Sequence, residues 1–104
     1  MDMSNNPTLD FSEVRTVNAK IKFSFLGYNE KDELIIRLGF ECEGSKTFVT
    51  VPISYLRLTK ILDVLELRSW EEIQRKFARI KINGNYVIAF GNLIEDKWFN
   101  VKEG

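Results

Sequence analysis

Histidine is absent from this sequence of 104 residues, and cysteine occurs once, as Cys42. Tetrahedral zinc sites and the catalytic pairs of cysteine or serine with histidine need these residue types, so the sequence argues against both. A single cysteine forms no intrachain disulfide, which is typical of a protein in a reducing compartment. Any catalysis would have to use carboxylates or lysine. We therefore expect a protein that is not an enzyme and has no cofactor and no metal.

Long hydrophobic runs are also lacking, and residues 1–13 are too polar for a signal peptide, so we expect no membrane span and a cytoplasmic location. Fifteen basic and fifteen acidic residues cancel, which gives no overall attraction to nucleic acid or membrane. The length of the chain and its 44% apolar residues are sufficient to form one domain with its own hydrophobic core. We predict a flexible arm over residues 1–13 and a single α+β domain over residues 14–104.

Apolar and polar residues alternate most clearly in residues 14–28, which predicts a long strand with one buried face. The residues predicted to face the core are Val17, Ala19, Ile21, Phe23 and Phe25. Similar alternation predicts strands over residues 33–42 and 47–53, and turn residues at 29–32 and 43–46 separate the three. The first half of the chain therefore predicts a three-stranded meander.

The spacing of apolar residues becomes helical after Ser54, a residue type that favours the N-cap. The residues predicted on the buried face of this helix are Tyr55, Leu58, Ile61, Leu62 and Leu65. Ser69 followed by Glu72 matches a capping box and predicts a second, short helix. Strands are predicted over residues 78–82 and 86–90, and Trp98 with Phe99 is predicted to pack as a C-terminal clip.

The predicted hairpin around Asn83-Gly84 has two alternative registers. A two-residue turn pairs Ile80 with Val87 and places Tyr86 on the face of Arg79 and Lys81. A three-residue loop instead turns Tyr86 toward the core. The Asn-Gly pair favours the first register, and the apolar bulk of the return strand favours the second.

The predicted order of elements is β-β-β-α-β-β, with a helical insert between strands three and four. This order predicts a small five-stranded antiparallel sheet or an OB-like barrel. In such a fold strand four lies beside strand one. The basic residues of the two strands would then be neighbours.

Basic residues concentrate in residues 14–28 and 68–82, so the neutral total conceals a basic side. Ammonium and guanidinium groups beside an aromatic ring suit single-stranded nucleic acid or a small phosphorylated nucleotide. The candidate residues for this binding are Lys20, Lys22, Arg79, Lys81 and Tyr86. The alternative interpretation is that these cations are the solvated face of two amphipathic strands. The aromatic residues predicted to be core rather than stacking platforms are Phe23, Phe25, Phe40, Phe77 and Trp70.

The predicted turn at residues 29–33 is acidic and offers a second kind of surface. Its carboxylates and a tryptophan near the C terminus are candidates for protein docking. These residues are Glu30, Asp32, Glu33 and Trp98.

Three segments of the C-terminal half carry a resemblance: SWEEI at 69–73, ARI at 78–80 and GNLIEDKWF at 91–99. They are similar to the patterns W-E-x-[LI] and G-N-[IL]-I-x-D-x-W-F of small, uncharacterised phage and prophage proteins of Gram-positive bacteria. The resemblance implies a viral accessory protein that acts in the host cytoplasm. It implies a counter-defence inhibitor, of which anti-CRISPR proteins are one kind, that occupies a host protein or sequesters a nucleotide signal. The resemblance brings no catalytic residues.

Overall fold

The structure is a computed structural model that describes residues 14–102. The arm predicted over residues 1–13 lies outside the described residues. This part of the chain forms one α-helix, a short 3₁₀ helix at Trp70–Ile73 and six strands. The elements are β1 (Val14–Tyr28), β2 (Leu34–Cys42), β3 (Ser45–Pro52), α1 (Tyr55–Leu65), β4 (Phe77–Asn83), β5 (Tyr86–Gly91) and β6 (Trp98–Asn100).

The strands form a single antiparallel sheet in the order β3-β2-β1-β4-β5-β6, which curls into a half-barrel. β1 joins two meanders, because its residues 14–20 pair with β4 and its residues 20–28 pair with β2. The predicted position of the fourth strand beside the first is therefore confirmed. The length of β1 makes this possible, since a strand of 15 residues offers each neighbour about half of its length.

The predicted fold class is correct in its coarse features, an α+β chain with a curled antiparallel sheet and a helix after the third strand. The predicted strand count and element order are wrong, because the described residues form six strands rather than five, in the order β-β-β-α-β-β-β. The additional strand, β6, lies in the segment predicted as a C-terminal clip. Phe99 of this strand is fully buried, as a clip requires, but its backbone extends the sheet by pairing with Phe90.

The core lies between one face of the sheet and α1. Phe90 is at its centre, with ring centroids 5.8 Å from Phe40 and 5.1 Å from Phe99. Fully burying a side chain of this kind stabilises the fold by about 1.5–3 kcal/mol. The residues that α1 buries against the sheet are Ile61, Val64 and Leu65.

The predicted start of α1 is confirmed, since the Ser54 hydroxyl accepts a hydrogen bond from the Arg57 N–H (3.3 Å). Tyr55 was predicted on the buried face of this helix, and it is exposed instead. The predicted capping box is also wrong. Ser69 makes no side-chain cap, and the Glu72 carboxylate accepts a hydrogen bond from the N–H of Arg68 (2.9 Å), so the second helix is a single 3₁₀ turn.

The β4–β5 hairpin has neither of the two predicted registers. Asn83 pairs with Tyr86, so Gly84 and Asn85 form the two-residue turn. Gly84 has φ +64°, and it occupies the first central position, where a type II′ turn places glycine. An irregularity between Lys81 and Ile82 then shifts the ladder. Because of this shift, Tyr86 lies on the same face as Lys81, as the first register predicted. Phe90, the large apolar residue of the return strand, nevertheless points into the core.

A β-bulge interrupts β1 at its midpoint. Ile21 pairs with Phe40 and Phe23 pairs with Gly39, which leaves Lys22 as an extra residue in β1. Because strand side chains alternate between faces, one extra residue moves every later side chain to the opposite face. The bulge therefore decides which residues of β1 point away from the core.

Candidate functional site

The sheet face turned away from the core and α1, called the outer face below, collects most of the predicted binding residues. The β1–β4 ladder pairs Asn18 with Arg79 and Thr16 with Lys81, and it places Lys20 next along the same face. Tyr86 shares this face, since it pairs with Asn83 on the Lys81 side of β4. The structure therefore brings the predicted nucleic-acid residues onto one surface.

Basic side chains predominate on the outer face, although the formal net charge of the protein is zero. The strand residues that carry positive charge there are Lys20, Lys22, Arg37, Lys46, Arg79 and Lys81. Glu41 is the acidic strand residue on this face within residues 14–102, and its carboxylate lies 3.6 Å from the Lys22 ammonium. One of the six cations is therefore partly neutralised, and the others give the face a positive potential.

Four phenylalanine rings are half exposed on the outer face. Phe23 is 43% exposed, Phe25 40%, Phe48 47% and Phe77 53%. Three of these residues were predicted to be core, and that prediction is wrong for Phe23, Phe25 and Phe77. For the first two the bulge at Lys22 is the cause, since it reverses the face that follows Ile21.

The remaining aromatic predictions have mixed outcomes. Phe40 is buried at the centre of the core, as predicted. Trp70 is partly buried and packs against the core from the 3₁₀ helix. Phe77 is exposed because it pairs with Lys20 at the start of β4, on the face opposite to that of Ala78.

Lys20 lies at the middle of the outer face. It pairs with Glu41 on one side and with Phe77 on the other, and its Nζ is 5.5 Å from the centroid of the Phe77 ring. Such a distance is typical of a cation–π contact. The ammonium therefore lies over the ring of a half-exposed phenylalanine.

A second group of rings and cations lies on the β1–β3 half of the face. The Phe23 and Phe48 rings meet edge to face, with centroids 6.0 Å apart, and the Arg37 guanidinium lies 5.1 Å from the Phe48 ring. Gly39 lies beneath both rings, since a Cβ there would be 2.6 Å from Phe48 Cε1 and 3.1 Å from Phe23 Cβ. The absence of a side chain at this position leaves the space that the Phe48 ring occupies against the sheet.

A third group lies on the β4–β6 half, around Trp98. The Arg79 guanidinium and the Lys81 ammonium lie 4.8 and 4.3 Å from the Trp98 ring. The indole N–H donates to the Asp96 carboxylate (2.9 Å), which fixes the ring orientation. These two cations therefore lie over the Trp98 ring and cover part of its face.

Arg79 also has a structural function. Its Nε donates to the Asn92 carbonyl oxygen (2.7 Å) and its Nη2 donates to that of Glu95 (2.8 Å). Asn92, which is buried, accepts hydrogen bonds from the Ile94 and Glu95 N–H groups and donates to the Val64 carbonyl (3.1 Å). Arg79 and Asn92 thus position the loop between β5 and β6.

The predicted protein-docking residues are not brought together. The acidic turn with Glu30, Asp32 and Glu33 follows the end of β1, and Asn29 organises it by accepting hydrogen bonds from the N–H groups of Lys31 and Glu33. The Asn29 amide also donates to the Glu33 carboxylate (2.9 Å). The Glu33 carboxylate therefore stabilises the conformation of the turn.

Trp98, the fourth docking candidate, is far from that turn. The ladders place Trp98 level with Gly91, Arg79 and Asn18 across the sheet. From Asn18 to the end of β1 the chain advances by about 30 Å at the usual rise of a strand. The acidic turn and Trp98 accordingly belong to different surfaces.

Among residues 14–102, Lys97 is the residue whose pKa is clearly shifted. Its Nζ donates to the Glu66 carboxylate (3.3 Å), and this hydrogen bond raises the pKa of the Lys97 ammonium above its ordinary value of 10.5. The negative charges of Glu66, Asp63 and Glu95 act in the same direction, and desolvation opposes them. The pair connects the end of α1 to the β5–β6 loop, so it stabilises the structure away from the outer face.

No family model, curated protein or solved structure matches this chain. Within residues 14–102, no helix has the length and apolar character needed to cross a membrane. The same residues contain no cluster of three carboxylate or thiol groups that would hold a metal ion. What the outer face can do chemically is to attract anions and to stack planar groups.

Sequence reasoning missed two cations of the outer face, Arg37 and Lys46. Arg37 shares β2 with Glu41 and Lys46 is the single charged residue of β3, so counting charges by segment did not find them. Their position on the face follows from the ladder, which pairs Arg37 with Thr50 and Lys46 with Glu41. The alternation of β2 and β3 was the available signal, because it already places these residues opposite to the core.

Proposed function

We propose that this protein is a non-enzymatic binding domain whose outer face binds single-stranded nucleic acid. The observation that supports this function most is the alternation of exposed phenylalanine rings with lysine and arginine side chains across one sheet face. Unpaired bases stack on exposed rings, and the neighbouring cations neutralise the phosphates. Both elements are present within one continuous surface.

A single strand fits this surface better than a duplex. Stacking on protein rings requires bases that are not already paired and stacked, and each base stacked on an aromatic side chain contributes about 1–3 kcal/mol. Phe23, Phe48 and Phe77 offer rings on three different strands of the sheet. A strand that crosses the sheet would meet these rings in turn, with Lys20 and Arg37 between them.

Fluorescence anisotropy with a labelled single-stranded oligonucleotide of mixed sequence tests the proposal. We expect binding to the single strand, weaker binding to the matching duplex, and affinity that falls as salt rises. Phe23→Ala and Phe77→Ala should each weaken binding by about tenfold, which corresponds to about 1.4 kcal/mol. Tyr55→Ala is the matched control, because Tyr55 is 79% exposed on α1 and should leave the affinity unchanged.

A protein without affinity for any single strand at low salt would refute this function. Equal affinity for single strand and duplex would refute the stacking part of it. Loss of binding in Tyr55→Ala as large as in Phe23→Ala would show that the outer face is not the site.

A second candidate function is the inhibition of a host factor by a phage-encoded counter-defence protein that occupies its target. The observation in its favour is that Phe23 and Phe48 contact each other on an exposed face next to the edge strand β3. Apolar patches and free strand edges are common docking surfaces for proteins. A complex with a host protein that survives nuclease treatment and is lost in Phe48→Ala would support it. A complex unaffected by Phe48→Ala would contradict it.

A further inference from the structure

A groove with a volume of about 470 Å³ lies at one end of the half-barrel, between the β2–β3 turn and the β4–β5 turn. The two turns approach each other there because the sheet curls, and the Thr47 hydroxyl donates a hydrogen bond to the Asn85 carbonyl (3.3 Å). β3 and β5 form no ladder in the part of the chain that the structure describes. Strand pairing therefore does not close the space between β3 and β5 at this end of the half-barrel.

The floor of the groove is apolar and its rim is polar. Val17 and Ile82 form the floor at the edge of the core cluster, and the fully buried Ile80 lies beneath them. The charged and aromatic residues at the rim are Arg15, Glu43, Lys46, Phe48 and Tyr86. Two cations, one carboxylate and two aromatic rings thus surround an apolar surface.

We propose that this groove binds a nucleoside monophosphate. A planar base has an apolar floor to lie on, with the ring of Tyr86 or Phe48 beside it, and the phosphate can reach Arg15 and Lys46 at the rim. The Glu43 carboxylate accepts hydrogen bonds from ribose hydroxyl or exocyclic amino groups. The volume is within the range of about 300–1,000 Å³ that is usual for small-molecule pockets.

The floor of this site is separate from the outer face, whereas Lys46, Phe48 and Tyr86 at its rim lie where the groove and the outer face meet. Val17, Ile80 and Ile82 lie on the core face, whereas Lys20, Phe23 and Phe77 lie on the outer face. The groove can take a free nucleotide or the phosphorylated end of a strand that is bound across the outer face. Both ligands offer the same chemistry, a base and a phosphate, and experiments distinguish them.

Cys42 provides a direct reporter, because it lines the groove and is the one cysteine of the chain. The probe is AMP, and the measurement is the rate at which iodoacetamide alkylates Cys42. We expect AMP to slow alkylation with a saturable dependence on its concentration. Adenosine and inorganic phosphate at equal concentrations should protect less, since each lacks half of the ligand.

Matched variants locate the site. Lys46→Ala should weaken protection by AMP about tenfold, which corresponds to one lost charge-assisted contact. Lys60→Ala removes an exposed lysine from α1 and should leave protection unchanged. Phe77→Ala should also leave it unchanged, although this variant is expected to lose affinity for a single strand.

Two results would overturn the proposal. Alkylation that is insensitive to AMP, GMP, CMP and UMP at millimolar concentration would show that the groove binds no nucleoside monophosphate. Protection that Phe77→Ala abolishes and Lys46→Ala does not change would place the nucleotide on the outer face instead. A free nucleotide is favoured if AMP protects better than an oligonucleotide with a 5′-phosphate, and a strand end is favoured if the order is reversed.

Discussion

Lys20 and Phe77 lie directly opposite each other on β1 and β4, with the lysine Nζ 5.5 Å from the centroid of the ring. The ring is half exposed, so a ligand at this position can contact a cation and an aromatic side chain together. This pair lies between the group around Phe48 and the group around Trp98. The outer face therefore offers stacking surfaces and positive charge over the whole width of the sheet.

Gly39→Ala should weaken nucleic-acid binding. A Cβ at this position would lie 2.6 Å from the Phe48 ring, so the ring must move from its place against the sheet. We expect the local overpacking to lower the free energy of unfolding by about 1 kcal/mol. The free energy of single-strand binding should fall by a larger fraction than the free energy of unfolding. Urea denaturation and fluorescence anisotropy measure the two effects on the same sample.

Gly44→Ala is the control for this variant. Gly44 has φ +84° in the β2–β3 turn, and a Cβ there would have no neighbour within 4 Å. The substitution should cost about 1–2 kcal/mol of stability, since a residue with a Cβ is strained in this conformation. Affinity for the single strand should stay at the wild-type level. Equal affinities of the two variants would show that the position of Phe48 is unimportant.

Lys81→Glu should reduce both the affinity for a single strand and its dependence on salt. The slope of log K against log salt is about −0.7 per phosphate contacted, so removing one contact makes the slope shallower by about that amount. Lys60→Glu on α1 changes the net charge equally and is the control. A slope that changes to the same extent in both variants would indicate a general charge effect rather than a contact by Lys81.

Arg79→Ala should destabilise the fold more than Lys81→Ala, although both cations contact Trp98. Arg79 also donates to two backbone carbonyl oxygens, and the loss of these charge-assisted bonds should cost about 2–3 kcal/mol. Lys81→Ala removes a cation–π contact, which is worth about 0.5–1 kcal/mol at the surface. Urea denaturation of both variants checks the order, and equal losses would mean that the β5–β6 loop does not depend on Arg79.

The contact between Lys97 and Glu66 should stabilise the protein only while the lysine is charged. Its pKa is raised in the folded state, chiefly by the hydrogen bond to Glu66. This stabilisation is complete below the unfolded pKa and is lost as the pH rises through the folded pKa. Melting temperatures of the wild type and Lys97→Gln should therefore differ at pH 8 and approach each other as the pH rises above 10.5. A constant difference over this range would contradict the assignment.

The position of β4 beside β1 could be predicted from the sequence, because the order of elements and the length of β1 leave room for two partners. The alternation in β2 places Ile36, Leu38 and Phe40 on its apolar face, and all three are buried, whereas Leu34 of the same apolar series is exposed. These features depend on periodicity that continues without interruption. A period-two pattern predicts which residues are buried only where no bulge interrupts the strand.

The outer-face rings could not be predicted, because the bulge at Lys22 leaves no mark in the alternation of β1. Phe23 and Phe25 continue the apolar series of Ala19 and Ile21, yet they point to the opposite face. The cause is tertiary, since the ladder with β4 ends near Lys20 and the ladder with β2 continues from there. In the β4–β5 hairpin both predicted registers were wrong because Gly84 and Asn85 form the turn, and a similar irregularity then shifts the ladder between Lys81 and Ile82.

Ultraviolet crosslinking of the protein to a single-stranded oligonucleotide that contains 5-bromouracil, followed by mass spectrometry of the peptides, tests the central claim most directly. Our account predicts crosslinks at the exposed rings of the outer face, Phe23, Phe48 and Phe77. Crosslinks confined to α1 or to the acidic turn, or none at all under conditions where the strand binds, would contradict it.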